Sequence, residues 1–398
     1  EIGSGLVGSE MCIRDRYFFE QMHMDDAIYA DESIYEYPMQ QGGGNDGRPY
    51  SFGRPSSGGS KAAYPCKSYG QGRINPAYFY GIFDPNDMRR DVSITMTGSN
   101  GKGVEKLIPF VPNSKAEGGG LTLNKWDENR QANPWVAAQR KSGINGPYMR
   151  MSEVYLGYAE VCAALGDVVT GKQYLKTVRE RSFPQGLADT DGFIASFGND
   201  LVRAIIEERG FEYAGEGDRR WTLIRSGYLP EDIKRIKDMT KAMMDGLATK
   251  GYYEFENGNI ISAYIWTKLV DAKTIYGHRL TAQCPMDKVN DPVLYPGWRG
   301  QKDNWEGMGL NYGSSTPATN LAIKGLFEIV SEEEAASLES QGYTKVNWGI
   351  DLVDNRDEYD KYLFWDYDYV SAPIYLWPFT PNVMAAGGFT NGYGFKQE

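Results

Sequence analysis

A chain of 398 residues with 41% apolar content is long enough to bury one large core or two moderate ones. Its net charge of −11 works against sequence-independent nucleic-acid binding and against docking on an anionic leaflet, both of which need excess Lys and Arg. Two histidines, His23 and His278, and four widely spaced cysteines (Cys12, Cys66, Cys162, Cys284) without a C-x-x-C argue against histidine catalysis and a zinc site. No run of 18 apolar residues suggests a membrane-spanning helix. Aromatic content is 13%, with 28 Tyr and 9 Trp, more than a core usually needs; such rings with polar tips suit wet binding surfaces.

The start, Leu6 to Arg16, resembles translated sequencing adaptor, so residues 1–16 are expected to be a non-native leader ahead of a single domain, 17–398. Tyr17 to Ala30 carries a helical pattern, and Gly42 to Gly72 is rich in Gly, Ser and Pro and reads as an irregular segment. Phe83 to Asp91 reads as a turn leading into a short strand, Val92 to Met96. Gly98 to Gly103 lacks phosphate-loop spacing and is a turn.

From Tyr148 the period becomes helical. Met151, Val154, Tyr155, Tyr158, Cys162 and Leu165 form one stripe ended by Gly166. Val168, Tyr174, Leu175 and Val178 form a second, and Phe193, Phe197, Leu201, Ile205 and Ile206 a third. Consecutive antiparallel helices of this kind, with Gly157 and Ala159 at the contacts and Cys162 in the core, predict tetratricopeptide-like pairs, although no 34-residue consensus repeats. Pro230, Glu231 and Asp232 open a further helix with Ile233, Ile236, Met243 and Leu247 on its apolar face. Asn257-Gly258-Asn259 joins Tyr252–Glu256 to Ile260–Trp266 as a β-hairpin. Residues 284–320 are loop-like, Ser331-Glu332-Glu333-Glu334 is a capping box, and the last 50 residues are aromatic and irregular.

The helical block carries a family resemblance. Arg150 to Glu160 resembles an R-x-x-E-x-Y-L-x-x-A-E helix, and Val178 to Arg181 a V-R-x-R segment. Glu208 to Arg225 is similar to E-R-x-x-E-x-x-x-E-G-x-R-x-x-D-L-x-R, with Thr222 in place of Asp. Asp84 to Asp91 resembles an Asp-Pro-Arg-type turn, and Tyr375 to Pro378 stands where L-x-P-I-P is usual. In this order, over residues 84–380, the motifs resemble the SusD/RagB family. The resemblance implies a mainly α fold with tetratricopeptide-like pairs, a loop-rich ligand face and a small hairpin. It also implies a lipid-anchored protein of the bacterial outer membrane that captures oligosaccharides for a SusC-like TonB-dependent transporter, without catalysis or cofactor. The resemblance would place a lipobox and an N-terminal helical half ahead of these motifs, as expected of a truncated start, and Phe389 to Gly394 only loosely echoes the usual ending. On this reading 84–228 bears the motifs around a helical core at 148–228, 229–374 diverges and sets specificity, and 375–398 is a C-terminal segment.

Two charged clusters admit more than one reading. Glu212, Glu216 and Asp218 could form the acid pair of a glycoside hydrolase, but alternating Glu and Arg at helix ends more often make ion pairs that lock one helix to the next. Asp351, Asp354, Asp357, Glu358 and Asp360 could hold calcium, yet they lack EF-hand spacing and read as a solvated acidic face. The preferred ligand site is the loop holding Tyr295, Trp298, Arg299, Asn304, Trp305 and Tyr312. A Trp or Tyr plane covers the C–H face of a sugar while Arg and Asn meet its hydroxyl rim. Trp126, Trp266 and Trp348 are lesser candidates, and a helical scaffold that binds proteins is the remaining alternative.

Overall fold

The computed structural model of the protein describes residues 32–40, 51–53, 55, 68–99, 105–110, 120–126, 143–183, 186–271, 319–357, 379–388 and 390. The leader, the pattern at Tyr17–Ala30 and the segment Tyr375–Pro378 lie outside them. In chain order the first elements are β1 (Ser33–Tyr37), a π-helical turn at Tyr78–Ile82, α1 (Met88–Ser93), β2 (Ile94–Thr95), β3 (Thr97–Ser99), β4 (Glu105–Leu107), β5 (Thr122–Leu123) and β6 (Gly146–Arg150). Helices follow: α2 (Met151–Ala164), α3 (Val168–Glu180), α4 (Thr190–Ala195), α5 (Leu201–Glu212), α6 (Arg219–Ser226) and α7 (Leu229–Lys250). The rest comprises β7 (Tyr252–Glu254), β8 (Ile260–Ser262), β9 (Tyr264–Asp271), β10 (Thr319–Lys324), α8 (Glu332–Ser340), β11 (Thr344–Asn347), α9 (Gly349–Asp354) and α10 (Pro381–Gly387).

The fold is mainly α, and its helices begin where the caps say they should. Asp167, Asp189, Asp200 and Ser331 each accept a backbone N–H of the first turn of α3, α4, α5 and α8. The third stripe is two helices, not one. Gly198 and Asn199 both take φ near 65°, a left-handed conformation that no helix continues through, and α5 starts afresh behind Asp200. The predicted strand at Val92–Met96 is also partly overturned. Asp87 caps α1 through the backbone N–H of Arg89, so Val92 and Ser93 finish a helix and only Ile94–Thr95 pairs, with β5. Gly98 and Ser99, read as a turn, belong to β3, which pairs with β4.

Helices α2 and α3 pack as a pair against α5, burying Leu156, Ala159, Leu175, Val178 and Ile205 together. Ala159 is at the contact, as expected, and Cys162 is buried. Gly157 is not at the contact; a Cβ there would meet nothing within 4 Å. The close approach is instead at Gly171, where a Cβ would stand 3.0 Å from the Ala159 carbonyl oxygen.

The second core gathers Phe79, Tyr80 and Phe83 of the π-turn region with Met243, Met244 and Leu247 of α7, Ile261 and Ile265 of the strands, and Trp348. The predicted Asn257-Gly258-Asn259 hairpin pairs β7 with β8, but its second arm ends at Ser262, and Tyr264 to Trp266 pass into β9 of the three-stranded sheet. Its turn also docks, since Asn257 and Asn259 both donate to the Tyr80 carbonyl oxygen at 2.8 Å. Beyond that hairpin lie small sheets the sequence did not announce: β1–β6, and β9 between β10 and β11. No helix among the described residues is long and apolar enough to cross a membrane.

Candidate functional site

Helix α5 carries charge where a buried helix usually carries leucine: Arg203, Glu207, Glu208, Arg209 and Glu212 are all buried. Burying such a group alone would cost on the order of several kcal/mol, so each needs a partner. The partners come from segments distant in sequence. Glu208 and Glu212 are one turn apart and share a face. Arg89 donates to both, at 2.7 and 3.1 Å, while its other edge is held by Asp87 at 2.7 and 2.9 Å. Arg179, from the end of α3, takes the second Glu208 oxygen at 2.9 Å. Arg150 and Arg181 both donate to Glu212 Oε1 at 2.6 Å and to Glu32. Arg150 also reaches Glu216 at 2.9 Å, where Lys125 arrives at 2.5 Å. The motifs that lay apart in the sequence thus close into one lattice. Thr222, which stands in place of Asp, belongs to a neighbouring group, its hydroxyl donating to Asp218 (2.8 Å) and accepting from Arg209 (3.2 Å). Asp218 supplies the carboxylate for Arg209 at 2.6 Å.

The electrostatics are those of a clamp. Burial alone would raise the Glu212 carboxyl; Arg181, Arg150 and Arg89 overcome it and hold the group well below the usual carboxylate range. Glu207, on the other face of α5, is pulled to about 2 by Arg219 and Arg235 against the same burial. Burial pushes the Lys125 ammonium down while Glu216 pulls it back. A hydrolytic general acid needs a raised pKa and an open face. Glu212 has neither, and Glu216 and Asp218 are engaged by Arg150, Lys125 and Arg209.

Beside the clamp lies an open groove of about 760 Å³, lined by β6, the α5–α6 turn and the start of α6, and also by Phe52 and Trp126. Strand β6 turns Arg150 inward to the clamp and leaves Tyr148 68% exposed. That ring makes a T-shaped contact with Tyr35 of β1, centroids 5.8 Å apart at 89°. On α6, Thr222 and Leu223 are buried and Trp221 is 54% exposed. The Trp126 indole N–H is buried and has no hydrogen-bond partner among the described residues.

The predicted ligand residues Tyr295, Trp298, Arg299, Asn304, Trp305 and Tyr312 lie outside the described residues. Of the lesser candidates, Trp126 lines the groove. Trp348 is a core residue instead: fully buried, its ring 4.1 Å from Phe110 and its N–H donating to the Tyr80 hydroxyl at 2.8 Å. Trp266 is also buried, in the middle strand of the three-stranded sheet. In the acidic cluster Asp351 accepts from Asn347, while Glu358 and Asp360 lie outside the described residues. Tyr148 and Trp221 entered the sequence reading only as members of motifs. The available signal was that Tyr148 stands two residues before Arg150, and Trp221 between Arg219 and Thr222.

Paired helices, locked by a buried charge lattice beside an open aromatic groove, define a helical scaffold that presents a groove to solvent. The chain belongs to the SusD family, whose profile matches residues 24–378, beginning well upstream of the first motif at Asp84. It is 28% identical over 160 residues to SusD-like protein P25 of Formosa agariphila, covering 40% of this chain and 26% of that protein. Among solved structures it is similar to a SusD homolog from Bacteroides thetaiotaomicron (TM-score 0.40, 17% identity, 58% of this chain and 47% of that one). It is also similar to surface glycan-binding protein A from the same organism (TM-score 0.38, 18% identity, 56% and 51%), which has also been solved with laminarihexaose. The chain thus spans about half the length of these solved structures and matches about a quarter of the curated relative.

Proposed function

We propose that the chain captures oligosaccharides at the cell surface and passes them to a SusC-like TonB-dependent transporter, held to the outer membrane by a lipid anchor. Capture proceeds without bond making or breaking. Trp298, Trp305, Tyr295 and Tyr312 stack on sugar faces, Arg299 and Asn304 meet the hydroxyls, and the region 229–374 sets specificity. Membership of the SusD family supports the sugar ligand. The observation that favours binding over hydrolysis is the state of Glu212: fully buried and held ionised under three guanidinium groups, it cannot reach a glycosidic oxygen or lend it a proton.

The test is affinity electrophoresis of the chain in gels cast with laminarin, xyloglucan, galactomannan or polygalacturonate, beside a Trp298→Ala, Trp305→Ala double variant. Reducing ends are measured in the same samples. Retardation without new reducing ends, weakened in the double variant, is expected. New reducing ends that vanish in a carboxylate variant would make the chain a hydrolase.

A further inference from the structure

We propose that the groove lined by Tyr148 and Trp221 is itself a carbohydrate site, taking a neutral oligosaccharide. The proposal rests on the reading of the chain as a sugar-capture protein and places a platform within its described residues.

Both rings are exposed, and the backbone that carries each is held. Tyr148 projects from a two-stranded ribbon whose register pairs Tyr35 with Met149, and its ring is braced by a T-shaped contact with Tyr35. Trp221 projects from α6, which is pinned at both ends: Arg219 pairs with Glu207 and Asp232, and Arg225 with Glu160. A platform whose backbone is already held loses little ordering entropy when a ligand arrives. Phe52, which also lines the groove, is exposed too. The groove's 760 Å³ falls in the about 300–1,000 Å³ typical of ligand sites.

The charge pattern selects the ligand. The lining includes Arg73, Arg150, Arg219 and Arg220 with Glu153, Glu216 and Asp218, so cations and carboxylates nearly balance. Each is already engaged: Arg150 by Glu216 and Glu212, Asp218 and Glu153 by Arg209, Arg219 by Glu207 and Asp232, while Arg73 and Arg220 have partners of their own. A phosphate or uronate entering the groove would have to break existing pairs to gain a counter-ion. A neutral sugar need not: it can lay its C–H faces on the two rings and share hydrogen bonds with side chains that keep their partners. An apolar peptide would leave those polar groups under-hydrated.

The experiment measures Kd for laminarin, xyloglucan and galactomannan by affinity electrophoresis, with polygalacturonate as the anionic control. It compares the chain with Tyr148→Ala, Trp221→Ala, Tyr148→Phe and Trp221→Phe. Each alanine variant should weaken binding of a neutral glycan by about tenfold, and each phenylalanine variant should stay within about threefold of the parent, because the flat face is retained. Both side chains are exposed, so circular dichroism and Tm should match the parent; a phenylalanine variant that binds while its alanine counterpart does not separates ring loss from misfolding. Glycan retardation unchanged in both alanine variants would overturn this site and leave sugar capture standing on the loop. Preference for polygalacturonate would overturn the neutral assignment. No retardation of the parent on any glycan would overturn this site and the capture reading together.

Discussion

At the scale of single residues, the lattice around α5 makes acid the natural denaturant. Burial works against the Glu32, Glu207 and Glu212 carboxylates, yet arginines hold all three below the ordinary range in the folded chain. A depressed folded pKa means that their contribution is complete above the unfolded value and lost as pH falls through the folded one. Asp87 has the opposite sign: burial raises it, so its protonation favours the folded state and blunts part of the loss. Thermal melts at fixed ionic strength should be level from about pH 7 to 5 and then fall steadily from about pH 4 toward 2; a Tm unchanged at the acid end would mean that these pairs contribute nothing. Thr222 gives a second test. Asp218 already supplies the carboxylate that Arg209 needs, four residues ahead of the place where the family pattern puts it. Thr222→Asp should therefore lower stability by setting two carboxylates against each other, and Asp218→Asn in the same chain should restore it. A double-mutant cycle should return a coupling of about 1–3 kcal/mol; additive effects would show that the two positions do not share Arg209.

At the scale of elements, the helix pair α2–α3 is set by one close approach. A methyl group at Gly171 would press on the Ala159 carbonyl oxygen and on the Ala163 nitrogen, 3.2 Å away. Gly171→Ala should cost about 1–3 kcal/mol despite alanine's better helix propensity. Gly157→Ala, on the same pair but facing open space, should instead stabilise by up to about 1 kcal/mol. Urea midpoints that moved in the same direction for both would refute this assignment of the contact. Elements of this kind were legible in the sequence, because helical spacing over a dozen residues leaves few alternatives, and the Asn257-Gly258-Asn259 hairpin was legible for a similar reason. The break between α4 and α5 was not, because Phe193 to Ile206 keeps its apolar spacing across the two residues that stop the helix. Strands of two or three residues, such as β2 and β5, leave no period to read, and their partners lie far along the chain. Among the site residues, the clamp was legible as charge alternation. Tyr148 and Trp221 were not: which ring faces solvent depends on how β6 and α6 are seated, and motif spacing does not record that. That Trp348 is a core residue was not legible either, because its indole finds Tyr80 268 residues away.

At the scale of the whole molecule, binding should be indifferent to salt. The chain is acidic overall, but the groove is nearly balanced and its charges are already engaged, mostly by residues behind its wall. Raising the salt from about 0.05 to 0.5 M should leave the Kd for a neutral glycan within about twofold, whereas capture of a polyanion would weaken sharply. The lattice under that groove also bears on how the chain reaches its native state. Arg89 and Glu208 are 119 residues apart, Arg150 and Glu32 118, and Lys125 and Glu216 91. Loops of that length close slowly, and until they close each ion is better hydrated than buried. Water should therefore leave the lattice only after the helices have met, on the native side of the rate-limiting barrier. Removing Glu208 by Glu208→Gln should raise the unfolding limb of the chevron and leave the refolding limb nearly where it was, which would make these charges a brake on escape from the fold and not a guide into it.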